Sequence, residues 1–153
     1  MSDQHRSYKR PESVLVVVHT RAGEVLLLKR ADHSSFWQSV TGAMDWDEHD
    51  PRVTAQRELA EEIGLSIATD ALEDLDLVQR YPILPQWRYR YAPDAHENTE
   101  RAFALEVPDR IALAAHPEHT EYRWLDPVAA AALATSWTNR VAIERATRRA
   151  RGE

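Results

Sequence analysis

The segment from Pro51 to Gly64, PRVTAQRELAEEIG, predicts a helix that carries three glutamates on one face. Glu58, Glu61 and Glu62 stand at positions i, i+3 and i+4, which lie side by side on a helix surface. Like charges at this spacing destabilise a helix by roughly a few tenths of a kcal/mol per pair. A divalent cation would reverse the sign of that effect, so the segment predicts a metal-binding face.

The ends and the opposite face of this predicted helix are also readable. Asp50 is predicted as the N-cap, Pro51 takes the first helical position, and Gly64 closes the helix. The opposite face is expected to pack on a core and consists of Val53, Ala55, Leu59, Ala60 and Ile63.

A solvated acidic face is the simpler interpretation of glutamates on a helix. Two features favour the metal site instead. No Lys or Arg follows any of the three glutamates at i+4, where the residues are Glu62, Leu65 and Ser66. In addition, the helix is preceded by residues 37–48, WQSVTGAMDWDE, which contain a glycine and a further acidic cluster.

Together these residues form the pattern G-x5-E-x8-R-E-L-x-E-E-x-G-L, from Gly42 to Leu65. The pattern resembles the Nudix box, the signature of hydrolases that cleave a nucleoside diphosphate linked to another group. The box of that family has seven residues between its first Glu and the Arg, whereas eight lie between Glu48 and Arg57. Asp47 also replaces the usual glycine, so either Asp47 or Glu48 can fill the first acidic position.

The order of elements is compatible with the fold that this resemblance implies. Strands and helices mix without strict alternation, which favours an α+β or a layered α/β/α arrangement. The Nudix fold is a mixed β-sheet sandwiched between helices, and we expect one domain over residues 1–153. The predicted strands are residues 13–19 and 25–29 (a hairpin), 37–41, 75–81, 102–107 and 122–125, and two final helices are residues 127–133 and 138–149.

Composition agrees with a small soluble enzyme. The chain has 153 residues, 43% of them hydrophobic and 29% charged, which is ordinary for one globular domain. Its longest aliphatic run, residues 14–18, is too short for a membrane span, and the N-terminus resembles no signal peptide. The lack of cysteines is compatible with a cytoplasmic protein, and the net charge of −6 disfavours nucleic-acid polymers as partners. The oligomeric state stays open.

The resemblance also implies chemical roles for the residues of the box. Magnesium prefers oxygen ligands and shares them between carboxylates, waters and substrate phosphates, and manganese can substitute for it. Glu58 and Glu62, one helical turn apart, are expected to converge on one ion. Glu61 is expected to hold a second ion or to take a proton from water. Arg57 is expected to clamp Glu48 in a bidentate pair that steadies the loop against the helix.

Two further metal ligands are implied by the resemblance. They are the main-chain carbonyl of Gly42 and the carboxylate of Glu118, which comes from a distant loop. Glu118 lies in residues 116–119, HPEH, whose histidines would suit a transition metal. We prefer a hard cation because the helix offers only oxygen ligands.

Outside the box, the sequence is similar to the bacterial dihydroneopterin triphosphate pyrophosphatases of folate synthesis. The matching pieces are residues 8–11, 36–42, 90–93, 98–100, 118–119, 122, 124–125, 136–137 and 139–140. This resemblance implies Lys9 and Arg30 on the substrate phosphates, with Thr41 and Ser136 also on the substrate. Without the resemblance, Lys9 and Arg30 would be read as solvated surface residues.

The segment PILPQWRYRYAPDAHENTE is the best candidate for recognising the pterin ring. Trp87, Tyr89 and Tyr91 can stack against a flat heterocycle, and Arg88 or Arg90 can hydrogen-bond its edge. We therefore predict Arg90 and Tyr91 as substrate-binding residues. The alternative is that the three alternating aromatic residues form one face of a strand.

The predicted function is magnesium-dependent hydrolysis of dihydroneopterin triphosphate to the monophosphate and pyrophosphate. Two alternatives stay open. One is general hydrolysis of nucleoside triphosphates, including oxidised ones, by the same chemistry. The other is a binding or regulatory module that keeps the fold without activity; the extra residue in the box favours it and the intact carboxylates argue against it.

Overall fold

The computed structural model describes residues 7–33, 35–113 and 116–153. Residues 1–6, which the predicted single domain includes, lie outside the described residues. Within the described ranges, seven strands form one sheet with α-helices packed on both of its faces, so the predicted α+β class is confirmed. No helix in these ranges is long and apolar enough to cross a bilayer.

The described residues form strands and helices with the following bounds. The strands are β1 Glu12–Thr20, β2 Val25–Arg30, β3 Trp37–Gln38, β4 Val40–Ala43, β5 Glu73–Pro82, β6 Glu97–Val107 and β7 His119–Leu125. The helices are α1 Pro51–Ile63, α2 Pro127–Leu133 and α3 Trp137–Ala150, with short 3-10 turns at Thr69–Ala71 and Pro85–Arg90.

Strand β1 is central because both of its faces are buried. Alternate residues of a strand point to opposite faces, so a continuous apolar run is typical of a strand covered on both sides. Val14, Val16 and Val18 pack in one core with residues of α1. Leu15 and Val17 pack in a second core with residues of α2 and α3.

The predicted hairpin of β1 and β2 is wrong for most of its length. Among the described residues, the two strands pair at His19 and Val25 and then separate. The segment Trp37–Ala43 fills the space between them, because β3 pairs with β2 while β4 pairs with β1. The other edges of β1 and β2 pair with β6 and β7, respectively. This arrangement places Thr41 and Gly42 beside the centre of the sheet.

The ends of α1 are those that the sequence predicts. The side chain of Asp50 accepts a hydrogen bond from the backbone N–H of Arg52 at 2.9 Å. Gly64 adopts a left-handed conformation with φ of 70°, and its N–H donates to the carbonyl of Ala60 at 3.1 Å. Both caps satisfy backbone groups that the helix itself leaves unpaired.

The orientation of α1 differs from the prediction. Val53 and Ala60 were expected on the core but are exposed, whereas Glu58 and Glu62 are buried. The reason is that α1 packs on β4 as well as on the apolar core. The buried arc is therefore centred near Glu62 rather than opposite the glutamates.

The segment between β5 and β6 is shorter than the sequence suggested. Asn98 and Glu100 belong to β6, which pairs with β5 and β1. The alternative of a strand through Trp87, Tyr89 and Tyr91 is wrong, because Pro85–Arg90 form a 3-10 helix. Proline at the start of this turn fixes φ near the helical value and donates no ladder hydrogen bond.

Candidate active site

A cleft of about 840 Å³ opens between α1, the β3–β4 segment, the 3-10 turn before Tyr91 and the start of α3. This volume suits a small-molecule ligand. Most of the residues predicted for the site line it: Lys9, Arg30, Thr41, Gly42, Arg57, Glu58, Glu61, Glu62, Trp87, Arg90, Tyr91, Glu118 and Ser136. Glu48, Arg88 and Tyr89 are not part of this lining. The fold therefore brings together side chains from distant parts of the chain.

The carboxylates of Glu58, Glu62 and Glu118 line the cleft and lie close to one another. Burial raises the pKa of Glu62 above its ordinary value, and the charges of Glu58 and Glu118 raise it further. Burial also raises the pKa of Glu58, while the nearby guanidinium of Arg57 opposes this shift. Glu62 Oε2 is buried and has no hydrogen-bond partner among the described residues. A buried carboxylate oxygen without a partner is costly, which indicates a position for a cation.

The donor set fits a hard divalent cation. Glu58, Glu62 and Glu118 offer only oxygen atoms, as magnesium prefers. Within the part of the chain that the structure describes, no group of three or more ligand side chains is already arranged around one point. Glu58 Oε1 instead accepts a hydrogen bond from Arg57 Nη1 at 2.9 Å. In this arrangement one carboxylate oxygen of Glu58 is engaged by Arg57, and Oε2 takes no part in that hydrogen bond.

Glu118 is positioned by the strand that carries Arg30. Its main-chain carbonyl accepts the N–H of Ala31 at 2.8 Å, directly after β2. This contact holds the loop before β7 against the cleft. The neighbouring His119 has a lowered pKa, caused first by burial and then by the charge of His116.

Gly42 lies against Glu58 where β4 meets α1. A Cβ at this position would overlap the carboxyl group of Glu58. Its φ is not among the positive values of the chain, so the requirement is for space rather than for an unusual backbone conformation. Glycine here allows the buried carboxylate to stand directly over the strand.

Arg57 joins the loop, the helix and the strand of the box. Its Nε and Nη2 donate to Glu48 Oε2 and Oε1 at 3.0 and 2.8 Å, the bidentate pair that the sequence predicts. Of the two candidates for the first acidic position, it is Glu48 that makes this pair. Nη2 also donates to the carbonyl of Ala43 at 3.0 Å, and Nη1 donates to Glu61 at 3.2 Å. The glutamates of α1 thus do have a compensating charge beside them.

Replacing Glu48 with glutamine is expected to destabilise the metal-free protein by about 2 kcal/mol at pH 7. The hydrogen bonds from Arg57 are the main cause that lowers the pKa of Glu48 from 4.5 to about 2. A lowered pKa stabilises the fold above the unfolded-state value, and this stabilisation is lost as the pH falls. Urea unfolding at pH 7, 5, 4 and 3 should therefore show the difference from wild type shrinking below pH 4.5. A pH-independent difference would contradict the ionic origin of the stabilisation.

Two cations lie between the carboxylates and the aromatic side of the cleft. Arg30 pairs with Asp32 through two hydrogen bonds of 2.7 and 2.6 Å. Lys9 is exposed to the cleft, and its pKa is lowered first by desolvation and then by repulsion from Arg90 and Arg30. Lys9 thus lies near two other cations as well as near carboxylates, and an anionic ligand would reduce the repulsion among the three cations.

The aromatic residues are divided between the cleft and the solvent. Trp87 and Tyr91 line the cleft, whereas Tyr89 is 73% exposed. The guanidinium of Arg30 stacks on Trp87 with its Cζ 4.6 Å from the ring centroid. Arg90 donates to the hydroxyl of Tyr89 at 3.1 Å. Only part of the predicted aromatic set can therefore contact a ligand directly.

Ser136 is the N-cap of α3 in addition to lining the cleft. Its Oγ accepts the backbone N–H of Asn139 at 3.3 Å and the side-chain amide of the same residue at 2.8 Å. Asn139 in turn accepts the N–H of Ser39 at 2.7 Å through Oδ1. Ser136 thereby ties the start of α3 to the β3–β4 segment.

A further group of polar residues lines the cleft but was not named among the predicted site residues. It consists of Ser13, Tyr81, Asn98 and Glu100. Asn98 and Glu100 do lie in the segment predicted to recognise the pterin ring and in the matching piece 98–100, and they alternate along a strand whose continuation is apolar. These signals identify neither the partner strands, which bring Ser13 and Tyr81, nor the cleft.

Comparison with known proteins identifies the family to which the chain belongs. Residues 9–146 match the family model of the NUDIX domain. The chain belongs to the Nudix family. The dihydroneopterin triphosphate diphosphatase of Escherichia coli K12 is 42% identical over 140 residues, covering 90% of this chain and 92% of the relative. The Haemophilus influenzae protein with the same name is 38% identical over 141 residues, covering 90% and 88%.

A solved structure agrees with the sequence comparison. The structure of the E. coli dihydroneopterin triphosphate pyrophosphohydrolase superimposes with a TM-score of 0.86 at 41% identity. It covers 93% of this chain and 98% of the other chain. The expected Nudix fold and the resemblance to this group of Nudix proteins are therefore confirmed.

Proposed function

We propose that this Nudix hydrolase converts dihydroneopterin triphosphate to dihydroneopterin monophosphate and pyrophosphate, a step of folate synthesis. The observation that carries the proposal is the single cleft that joins the carboxylates of Glu58, Glu62 and Glu118 to the cations Lys9 and Arg30. A triphosphate is a dense polyanion, and its hydrolysis needs cations at the oxygens and an activated water. The similarity to the E. coli diphosphatase along nearly all of both chains supports the pterin as substrate.

Glu58, Glu62, Glu118 and the carbonyl of Gly42 are the proposed ligands of a divalent cation. Nudix hydrolases generally require such a cation, and we propose magnesium, with manganese as a substitute. When bound, the ion neutralises phosphate oxygens and lowers the pKa of a water molecule. Glu58 supplies its carboxylate, and the buried Glu62 supplies an oxygen that has no hydrogen-bond partner in the described residues.

Glu61, Arg57 and Glu48 are the proposed catalytic group. The side chain of Glu61 is 56% exposed beside the other glutamates, where it can accept a proton from the attacking water. Arg57 holds Glu61 at 3.2 Å and Glu48 through two hydrogen bonds. This network fixes the distance between the loop and the helix without requiring Glu48 to reach the cleft.

The remaining predicted residues are proposed to hold the substrate. Lys9 and Arg30 bind the phosphates, and Arg30 exchanges its ion pair with Asp32 for a phosphate oxygen. Guanidinium groups bind phosphate and carboxylate in the same bidentate manner, so this exchange needs little rearrangement. Thr41, Ser136, Arg90 and Tyr91 are proposed to contact the rest of the substrate.

The proposal includes a cytoplasmic location and a small-molecule substrate. The net charge of −6 supports the expectation that no nucleic-acid polymer is bound. No membrane partner is proposed. A single domain over residues 1–153 remains a prediction, and the oligomeric state stays open.

The test is a side-by-side measurement of kcat/KM for dihydroneopterin triphosphate, dATP, dGTP and 8-oxo-dGTP with magnesium. We expect pyrophosphate as the product and a preference for the pterin of about 10-fold or more. A chelator should abolish turnover, and added magnesium or manganese should restore it. Equal or higher values for the nucleotides would favour general nucleoside triphosphate hydrolysis. Binding without turnover would favour the inactive module.

A further inference from the structure

Four polar residues from three neighbouring strands form a cluster that lines the cleft. Tyr81 of β5 stands opposite Asn98 of β6, and Ser13 of β1 stands opposite Glu100 of β6. Asn98 and Glu100 are two positions apart, so their side chains project to the same face of the sheet. We call Ser13, Tyr81, Asn98 and Glu100 the polar cluster.

The donors of the polar cluster are used within the cluster itself. The amide Nδ2 of Asn98 donates to Ser13 Oγ at 2.7 Å and to the hydroxyl of Tyr81 at 2.9 Å. Both hydroxyls then donate to Glu100 Oε2, at 3.5 and 3.4 Å. Because these hydrogen bonds involve both amide N–H groups and both hydroxyl hydrogens, the cluster keeps no donor of its own for a ligand.

Two acceptors of the polar cluster remain without a partner. Asn98 and Glu100 are each only 3% exposed. Asn98 Oδ1 and Glu100 Oε1 are buried and make no hydrogen bond within the described residues. A buried polar network with open acceptors is less stable than one with all its groups paired. Because Asn98 and Glu100 line the cleft, donors of a ligand would remove this cost.

The polar cluster and the predicted metal ligands line the same cleft. The charges of Glu58 and Glu118 act on the pKa of Lys9, which shows that the three groups are close to one another. The Nζ of Lys9 lies 5.7 Å from the ring centroid of Tyr91. The charge of Glu100 in turn acts on Tyr91. Lys9 and Tyr91 therefore lie near both the carboxylates and the polar cluster, and all of these groups line one cleft. A ligand whose phosphates bind near the carboxylates and Lys9 can extend within the same cleft to the polar cluster.

We propose that Asn98 Oδ1 and Glu100 Oε1 bind the edge of a flat heterocycle that carries an amino group next to a ring N–H. The 2-amino-4-oxo edge of a pterin has these two adjacent donors, and guanine has the same pair. Adenine lacks it, because the ring nitrogen beside its amino group is an acceptor. The assignment to a pterin rests on the proposed function, whereas the preference for adjacent donors follows from the cluster alone.

Glu100 is best tested in its ionised form. Burial raises its pKa to about 7, while the hydroxyls of Tyr81, Ser13 and Thr138 oppose this shift. At pH 8.5 the carboxylate accepts hydrogen bonds but donates none, so binding is measured at that pH. Hydrogen bonds to a charged group are stronger than those to a neutral amide.

The experiment measures the dissociation constants of unphosphorylated dihydroneopterin, guanosine and adenosine by calorimetry, with the full chain and no metal. In Glu100→Gln and Glu100→Ala, we expect the dissociation constant of dihydroneopterin to rise by about 10- to 100-fold. That of adenosine should change by less than about threefold. Glu97→Gln, an exposed glutamate on the same strand, is the matched control and should change neither value.

Folding is checked separately by thermal unfolding. Glu100→Gln removes a buried charge and keeps an oxygen that can accept from the hydroxyls of Ser13 and Tyr81, so it should keep a melting temperature near that of wild type. Glu100→Ala leaves both hydroxyls without this acceptor and should melt at a lower temperature, so the test of affinity rests first on Glu100→Gln. An equal loss of affinity for dihydroneopterin and adenosine would overturn the inference, since it indicates general damage. So would a dihydroneopterin affinity that is unchanged in both variants, or the absence of saturable binding to wild type.

The same data separate this inference from the proposed function. If wild type binds guanosine more tightly than dihydroneopterin, with the same dependence on Glu100, edge recognition holds and the pterin substrate is wrong. If Glu100 has no effect while wild type releases pyrophosphate from dihydroneopterin triphosphate, the proposed function holds and the inference is wrong.

Discussion

Glu62→Gln is expected to lower kcat for dihydroneopterin triphosphate by about 10³-fold at saturating magnesium. Glu62 lies in the middle of the buried face of α1, and its Oε2 has no hydrogen-bond partner among the residues described. An amide keeps the size of the side chain but brings no charge to a cation. Glu144→Gln, which replaces an exposed glutamate of α3, is the matched control and should keep full activity.

The same substitution should leave the metal-free fold as stable as wild type at pH 8, or more stable. Burial and the charges of Glu58 and Glu118 raise the pKa of Glu62 in the folded state. A raised pKa contributes stability at low pH that is lost as the pH rises through the folded-state value. Wild type without metal should therefore lose stability between pH 5 and pH 9, and the variant should lose less.

Magnesium should reverse this loss in wild type, because a ligand that binds only the folded state raises its stability. Melting temperatures of both proteins, with a chelator and with magnesium, provide the measurement. Near-full activity of Glu62→Gln, or an equal magnesium response in both proteins, would remove Glu62 from the metal site.

The local features of the site follow from the sequence because they depend on short spacings. Asp50 and Gly64 cap α1 through hydrogen bonds within a few residues of each end. Arg57 lies in the middle of α1 and Glu48 lies in the short segment before it, and their side chains meet in a bidentate pair. The predicted caps and the predicted ion pair match the structure because few backbone conformations allow such contacts between residues close in sequence.

The orientation of α1 could not be read from its own residues. A polar arc is normally assigned to solvent, and by that rule Val53 and Ala60 belong to the core. The structure reverses this assignment because Gly42 leaves room on β4 for a buried carboxylate. An active-site helix thus departs from ordinary amphipathic patterning at the positions where charge is required.

The separation of β1 and β2, and the polar cluster, depend on pairing between distant segments. Val25–Arg30 reads as the second strand of a hairpin, but β7 from nearly one hundred residues later takes its outer edge. Glu100 meets Ser13 and Tyr81 only through the register of β6 with two different strands. Alternating polarity in the sequence identifies a strand, whereas the strands that pair with it are determined by the fold of the whole chain.

Gly42→Ala is expected to lower kcat/KM by about 10²-fold while changing the free energy of unfolding by less than about 2 kcal/mol. The added Cβ would overlap the carboxyl group of Glu58, which is the end of a flexible side chain. The backbone at Gly42 has no positive φ, so alanine fits the strand itself. We therefore expect the carboxyl of Glu58 to turn away while the fold is retained.

A double-mutant cycle with Glu58→Ala tests this cause. If Gly42→Ala acts by displacing Glu58, it should cause no further loss once the carboxylate is absent, and the two effects should be strongly non-additive. Urea unfolding of all four proteins at pH 7 separates loss of activity from loss of structure. Additive losses in kcat/KM would instead show that Gly42 acts on turnover independently of Glu58, as a displaced main-chain carbonyl ligand would.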